Sequence, residues 1–348
     1  MRVLILVGWN VLFLDVDDPA VRKANKSVVG EKYWFFNYMP DPLTIDVAGI
    51  PKRLEHTWVN KLGLHNLPQA CEVFSRLDSY DAVVSHHSGS ALFLALMRRI
   101  FKKTVPPHVL IDVGLPYYVA DFKGIRRKII RCIFSSVDVI IYHSSIQRDF
   151  YRNFLGFKEE NIFFIPFGID PTDFFPIETS IGNYVISVGD GARDYTTLLQ
   201  ASRDIKSCVK IVSQRYRINS EDLPSNVQYS GYLPISVVKT LIAASKLVIL
   251  PLENVPSSCG HSVLLQSMAM EKAVVVSDVP GVTDYVIDGE TALLCEPDNP
   301  KDLALKVNFL LSNPDKAAEI GKKARKAVLD EFTEERMALK IYDVLSKV

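Results

Sequence analysis

The sequence predicts an α/β protein built from two doubly wound units, and three observations carry that expectation. Short apolar runs alternate with longer helical patterns, the signature of a parallel sheet. The alternation runs once through the first half, breaks at Pro166, Gly168, Pro171 and Pro176, and starts afresh after them. At 348 residues and 48% hydrophobic content, the chain is long enough to bury two ordinary cores. The expected division is residues 1–170, residues 171–330 and a terminal helix over 331–348 that packs back on the first domain, with a hinge near Pro166–Gly182. Two such units leave a cleft between the carboxyl ends of their sheets, where ligands of open α/β folds bind.

In chain order, the apolar runs predict strands at Val3–Val7, Ala82–Ser85, Val109–Asp112, Val139–Tyr142 and Ile162–Ile165. Helices are expected near Pro68–Leu77, Ala91–Phe101, Gly124–Phe134 and Ile146–Leu155. The second series places strands at Tyr184–Val188, Lys210–Ser213, Gln228–Tyr229, Lys246–Pro251, Val274–Asp278 and Ala292–Cys295. Amphipathic stretches around Leu303–Leu311, Ala317–Phe332 and Glu335–Val348 make the tail strongly helical.

Composition excludes several classes. Forty basic residues balance forty acidic ones, which argues against nucleic acid, whose binders carry a basic excess. Five scattered cysteines without a Cys-x-x-Cys pair read as reduced thiols in a cytoplasmic protein. The opening apolar run is too short for a signal peptide and reads as a first strand. No run approaches the roughly 20 apolar residues that span a bilayer.

The most informative stretch is Leu247–Glu296. An apolar strand leads through a polar loop to Ser257-Ser258-Cys259-Gly260-His261-Ser262, then to the apolar helix Val263–Met270 and a further strand. A helix start at the carboxyl edge of a parallel sheet is a site for an anionic group. Ser and Gly with exposed N–H groups suit a diphosphate, with His261 donating to a phosphate or sugar hydroxyl; ordinary capping explains the same residues. Gln266 lies in an otherwise apolar helix, where an amide needs either backbone partners or a ligand hydroxyl. Ahead of it, Gly189-Asp190-Gly191-Ala192-Arg193-Asp194 follows the first strand of the second half. Arg193 there offers a forked guanidinium to phosphate oxygens, or else pairs with Asp190 or Asp194. Only Gly189 and Gly191 fit a dinucleotide fingerprint, which weakens that reading.

His86 and His87 end a strand at the expected cleft. Alternation turns them opposite ways, so at most one faces a ligand, and a structural role for both stays open. Arg98, Arg99, Lys102, Lys103 and the basic helix Lys123–Arg131 form either solvated faces or a surface for anionic lipid. Asp15-Val16-Asp17-Asp18 has the letters of a metal-binding triplet but follows the first strand, in the wrong half for a donor phosphate, and reads as a solvated loop.

The run Ser258–Asp278 resembles the signature of the retaining glycosyltransferases of family 4, the large group 1 class with the GT-B fold. Ile165-Pro166-Phe167-Gly168-Ile169-Asp170 resembles its hinge motif, and Asp288–Leu294 its next turn. The likeness covers nearly all of residues 160–348 and is mostly architectural before them. The resemblance implies that Arg193 holds the donor diphosphate, with Asp190 where a second basic residue is common. It further implies that Tyr232 and Leu233 bracket the nucleobase, that Gln266 and Ser258 stand where two glutamates hold ribose and donor sugar, and that His86 lies near the anomeric centre.

Three departures bear on activity. Gln266 lacks the charge that strengthens such hydrogen bonds, Ser258 removes a strong acceptor, leaving His261 to take over, and Glu271 replaces a glycine that supplies a left-handed turn. Retaining that backbone at Glu271 costs roughly 1 kcal/mol.

The sequence therefore predicts a GT-B glycosyltransferase that moves a sugar from a nucleotide donor to a glycan, lipid-linked or small acceptor, with retention and without metal or bound cofactor. Catalysis falls to His86, Arg193 and His261, and donor binding to Gly189, Asp190, Arg193, Tyr232, Leu233, Ser258, Gly260, Ser262 and Gln266. The expected location is cytoplasmic or peripheral at the inner membrane face. A nucleotide-sugar-binding module without turnover and a GT-B epimerase remain alternatives.

Overall fold

The computed structural model describes residues 1–8, 35–40, 43–49, 66–216, 223–255 and 257–348. The acidic triplet at 15–18 lies outside them. The chain forms two compact units, Met1–Ile165 with Met337–Val348, and Pro166–Arg336. The first unit begins at the expected strand, and the second begins where the prolines interrupt the pattern.

The first unit carries strands β1 (Arg2–Val7), β2 (Thr44–Ala48), β3 (Ala82–His86), β4 (His108–Asp112), β5 (Val139–Tyr142) and β6 (Ile162–Phe164). They pair in parallel in the order β2-β1-β3-β4-β5-β6. All residues of β3, β4 and β5 are buried, as a sheet covered on both faces demands, which is why they read as unbroken apolar runs. Helices α1 (Asn66–Phe74), α2 (Ser88–Phe101), α3 (Leu115–Val119) and α4 (Gly124–Phe134) accompany them.

The second unit holds β7 (Tyr184–Val188), β8 (Cys208–Val212), β9 (Val227–Ser230), β10 (Val248–Leu250), β11 (Val274–Ser277) and β12 (Leu293–Cys295), in the order β12-β11-β10-β7-β8-β9. These pairs too are parallel. The strand order reverses between β7 and β10, so the loops leaving those two strands part at a topological switch point. Around this sheet lie α5 (Tyr195–Ser202), α6 (Ile235–Ala244), α7 (His261–Ala269), α8 (Pro300–Ser312) and α9 (Pro314–Glu331). The last helix, α10 (Glu334–Leu345), starts in the second unit and joins the first from Met337. Its Met337, Ala338, Ile341, Val344 and Leu345 are buried.

Two elements differ from expectation. β2 has no counterpart in the apolar pattern, because Asp46 interrupts it; that carboxylate accepts from Arg2 and Tyr80 at the strand's margin. The helix expected over Ile146–Leu155 is a short 3-10 turn, Ser145–Gln147, followed by a π-helical turn, Phe150–Leu155. The wider turn brings Tyr151 inside, where its hydroxyl donates to Asp112 at 2.5 Å, and Gly156 closes it at φ 85°.

Glu271 does adopt the left-handed conformation, at φ 58°, just past the end of α7. The tight fit around it explains why the turn persists: a Cβ on Gly321 of α9 would come within 2.1 Å of the Glu271 carbonyl oxygen. The Glu271 side chain gains only a long contact to Arg325, 3.8 Å, so Glu271→Gly is expected to raise unfolding stability by about 0.5–1 kcal/mol in urea denaturation. An unchanged or lower midpoint would show that the carboxylate contributes more than its geometry indicates.

His86, His108 and His143 are buried in the first unit, and burial pushes them down to about 3, about 3 and about 4. They stay neutral while folded and take up protons only on unfolding. Their contribution is complete above the ordinary value of 6.5 and declines as the pH falls from there toward 4. Asp112, pushed up to about 6 by burial, opposes part of this between its ordinary 3.8 and 6. Denaturation at pH 7, 6 and 5 should show falling stability, with His108→Gln reducing the slope by roughly one proton, about 1.4 kcal/mol per pH unit.

Candidate functional site

The loops leaving β7 and β10 are bound to each other at the switch point. Asp194 N–H donates to the Pro251 carbonyl at 3.1 Å and Glu253 N–H to the Ala192 carbonyl at 3.0 Å. Arg193 and Leu252 form an isolated antiparallel bridge between them. Leu252 N–H in turn donates to Ser277 Oγ at the end of β11, 2.9 Å.

Arg193 is only 7% exposed. Its Nε donates to the Val188 carbonyl at 3.1 Å and its Nη1 to the Gly191 carbonyl at 2.7 Å. Neither neighbouring carboxylate holds it: Asp194 caps α5 by accepting from Thr197 N–H at 2.9 Å, and Asp190 faces elsewhere. Burial lowers the guanidinium pKa, and the group keeps its charge as arginine does in proteins. Nη2 makes no hydrogen bond among the described residues. Gly189, at φ 112°, lies so close that a Cβ there would stand 2.6 Å from Nη2. Ala192 turns at φ 48°, completing a loop wrapped around its own arginine. Tyr195, pushed up to about 12 by burial, donates to the Gly189 carbonyl at 2.6 Å.

Asp190 organises the loop after β8. Its Oδ1 accepts from Ser213 Oγ at 2.5 Å, Gln214 N–H at 2.8 Å and Arg215 N–H at 2.9 Å. Burial alone would raise this carboxyl; the Arg215 N–H, the Ser213 hydroxyl and the Gln214 N–H together hold it below its usual range. The turn thus carries exposed Arg215 at the carboxyl end of β8, where Asp190 attracts it. Arg215 escaped the sequence reading, although it follows a strand end just as His86 does. Tyr229 steadies the same loop, donating to the Ser213 and Tyr216 carbonyls at 2.8 and 2.7 Å.

After β10, Gly260 takes φ 76° and starts α7 without a side-chain cap. Ser262 and Val263 N–H groups make no hydrogen bond among the described residues. Ser258 is half-buried and Ser262 exposed. Cys259 is a neutral thiol, pushed up to about 11 by burial against the pull of Arg193. His261 is buried: its Nε2 is hydrogen-bonded to the Gly281 carbonyl and its ring lies 4.2 Å from that of Tyr285. Tyr285 accepts from Phe167 N–H at 2.9 Å. His261 therefore ties α7 to the segment after β11. Gln266 is 7% exposed, and its amide makes no hydrogen bond among the described residues. Gln266 lies one helical turn after Ser262 in α7, on the same side of the helix. Tyr232, 71% exposed, and half-buried Leu233 sit in the loop after β9.

The second unit therefore carries Gly189, Asp190, Arg193, Tyr232, Leu233, Ser258, Gly260, His261, Ser262 and Gln266 on loops and a helix that follow the carboxyl ends of three parallel strands, β7, β9 and β10. His86 belongs to the first unit, at the carboxyl end of β3 beside β1. It is buried, and burial followed by the neighbouring His143 and His87 keeps it neutral. His87, at φ 119°, caps α2 by accepting from Gly89 N–H at 3.1 Å. Among the described residues no group of three or more His, Cys, Asp or Glu is placed to hold a metal ion.

Residues 213–327 match the family described as Glycosyl transferases group 1. The alpha-maltose-1-phosphate synthase of Mycolicibacterium smegmatis is 32% identical over 122 residues, 33% of this chain and 31% of that protein. A glycosyltransferase of Methanocaldococcus jannaschii, MJ1178, uncharacterized by name, is 33% identical over 87 residues, 24% of each chain. The matching segments thus span a third or less of those relatives. Over the whole chain, the sucrose-phosphate synthase of Thermosynechococcus elongatus superposes with a TM-score of 0.75 at 17% identity, covering 100% of this chain and 99% of that one. Anabaena HepE, solved with UDP-glucose, gives 0.72 at 16%, covering 100% of both. The two Rossmann-like units are those of the GT-B fold.

The Arg193 wrap yields a direct expectation. Gly189→Ala forces a side chain into a left-handed position and onto the guanidinium, so it should lower unfolding stability by about 1–3 kcal/mol and displace Arg193. Thermal melting measures the first effect. A fully retained melting temperature would show that the loop re-forms around the methyl group.

Proposed function

We propose that this chain is a group 1 glycosyltransferase whose second unit holds a nucleoside-diphosphate sugar and whose first unit receives the acceptor. The observation that supports it most is Gln266, a residue 7% exposed whose amide makes no hydrogen bond among the described residues, on the helix that Gly260 starts without a side-chain cap. An amide open to solvent and engaged by no protein group is available to a ligand, and ribose hydroxyls match its donor and acceptor. The diphosphate then lies between Nη2 of Arg193 and the N–H groups of Ser262 and Val263, where a helix dipole favours negative charge. Arg215 provides the second cation in place of the basic residue that Asp190 displaces. Ser258 and Gly260 line the phosphate and sugar end, and Tyr232 and Leu233 the base.

The leaving diphosphate gains negative charge as the glycosidic bond breaks, and fixed donors stabilise that charge without moving. The reading takes transfer to be hexosyl, with retention, without metal, and with the nucleotide sugar as co-substrate rather than a bound cofactor. UDP-glucose, which HepE binds, is the first donor to try. His86 contributes a neutral hydrogen-bonding imidazole on the sugar side, and His261 acts as a positioning residue through Gly281 and Tyr285. A cytoplasmic setting follows from the intracellular supply of nucleotide sugars.

A second reading, a donor-binding module without turnover, has its own support: Ser258 and Gln266 are both uncharged. A thermal-shift panel of UDP, GDP, ADP and CMP sugars, followed by product analysis, separates the two. One donor should raise the melting temperature by mass action. Arg193→Ala should weaken it about 10–100-fold and Arg215→Ala about tenfold, as loss of a charge-assisted contact implies. Gln266→Leu should weaken the nucleotide sugar while leaving inorganic pyrophosphate binding intact. A donor shift that survives Arg193→Ala would refute the diphosphate placement, and binding without hydrolysis or transfer would leave the module.

A further inference from the structure

We propose that α3 and α4 of the first unit form a docking face for an anionic lipid bilayer. Helix α4 buries only Phe134 completely. Ile125, 70% exposed, and Ile129, 50% exposed, are one turn apart and continue to exposed Cys132, an i, i+4, i+7 stripe of apolar side chains pointing to solvent. Lys123, Arg126 and Lys128 flank the stripe, and none of them makes an ion pair among the described residues. Residues 122–137 contain no Asp or Glu, in a chain whose total charge is zero. Just ahead, on α3, Tyr117 and Tyr118 are 54% and 62% exposed, with their rings edge to face at 5.3 Å.

This combination selects the partner. A solvated helix face has no use for protruding isoleucines, and a polyanion such as nucleic acid needs the bases without them. A bilayer with anionic headgroups matches both, taking the isoleucines at the acyl boundary, the lysines and arginine at the phosphates, and the tyrosines at the interface.

The face is rigidly mounted. The Asp112 carboxylate accepts from Leu115 N–H at the start of α3, 3.0 Å from each oxygen. Arg127, on the inner side of α4, donates to the Phe154 and Asn153 carbonyls with its guanidinium 4.8 Å from the Phe154 ring centre. The loops after β4 sit at the carboxyl edge of the first sheet, so a docked membrane would lie next to the edge where α/β folds take ligands. The inference stands on the first unit alone and does not depend on the donor reading.

Cosedimentation of the full chain with phosphatidylcholine vesicles, with and without phosphatidylglycerol, tests it. The protein should partition at least about tenfold more strongly onto the anionic vesicles, and the difference should vanish at high salt. Ile125→Ser with Ile129→Ser should reduce partition about tenfold. Lys123→Glu, Arg126→Glu and Lys128→Glu together should abolish it. Melting temperatures establish that these surface variants fold. Equal partition onto both vesicle types, or none onto either, overturns the proposal. So does a dimer in sedimentation equilibrium that the isoleucine replacements dissociate while vesicle binding is absent, which would assign the face to a second copy of the chain.

Discussion

The buried guanidinium of Arg193 is the constraint on which the second unit's carboxyl edge is organised. A charge in a dry setting must find hydrogen-bond partners, and here they are the carbonyls of Val188 and Gly191, within five residues of the arginine itself. The β7 loop therefore curls around the side chain, which demands the left-handed turns at Gly189 and Ala192 and excludes a Cβ at Gly189. Curled in this way, the loop presents Ala192 and Asp194 to the strand-like segment Pro251–Glu253. The β7 and β10 loops are thereby joined to each other, with Ser277 tying them to β11. A phosphate site assembled on them would be set in place before any ligand arrives, which lowers the entropy cost of binding.

Around this frame the charges are rearranged rather than lost. Asp190 stands where the family resemblance implies a base, yet its carboxylate is fully engaged by Ser213, Gln214 and Arg215. An acid that orders a loop bearing an arginine exchanges a direct cation for a positioned one. Gln266 shows the complementary change: where the family resemblance implies a carboxylate, this chain has an amide, which both donates and accepts. Neutral recognition of hydroxyls is weaker than charge-assisted recognition, so a nucleotide sugar held by Gln266 would depend more heavily on its phosphate end.

Much of this was legible in the sequence because parallel strands covered on both faces leave unbroken apolar runs, and because ligand-binding loops follow their carboxyl ends. That rule puts Gly189–Asp194, Ser257–Gln266 and His86 at the carboxyl ends of strands, where the structure has them, and the family pattern marks the left-handed position of Glu271. What escaped was decided by partners far away in the chain. No local pattern reveals that His261 meets Gly281 and Tyr285, or that Asp190 turns toward residues 213–215, and the alternative of an Arg193 ion pair with Asp190 or Asp194 stayed open for the same reason. Strand β2 gives no unbroken apolar run because Asp46, paired with Arg2 and Tyr80, interrupts it. The π-helical turn at Phe150–Leu155 was read as an ordinary helix because its periodicity differs little over six residues, while its cause is the Tyr151 bond to Asp112.

The two carboxyl edges differ in electrostatic character, and that difference bears on which unit takes the anionic end of a donor. In the first unit, His86 and His143 are held neutral by burial, and Asp112, raised to about 6, is chiefly an anion at pH 7. Among the described residues no fixed cation stands beside those groups, and a diphosphate placed next to them would meet neutral rings and a carboxylate. In the second unit, Arg193 is locked under its own loop, Arg215 is attracted to Asp190, and the N-terminal end of α7 lies uncapped. Because Coulomb interactions strengthen as water is excluded, the edge with buried positive charge gains most from a multivalent anion.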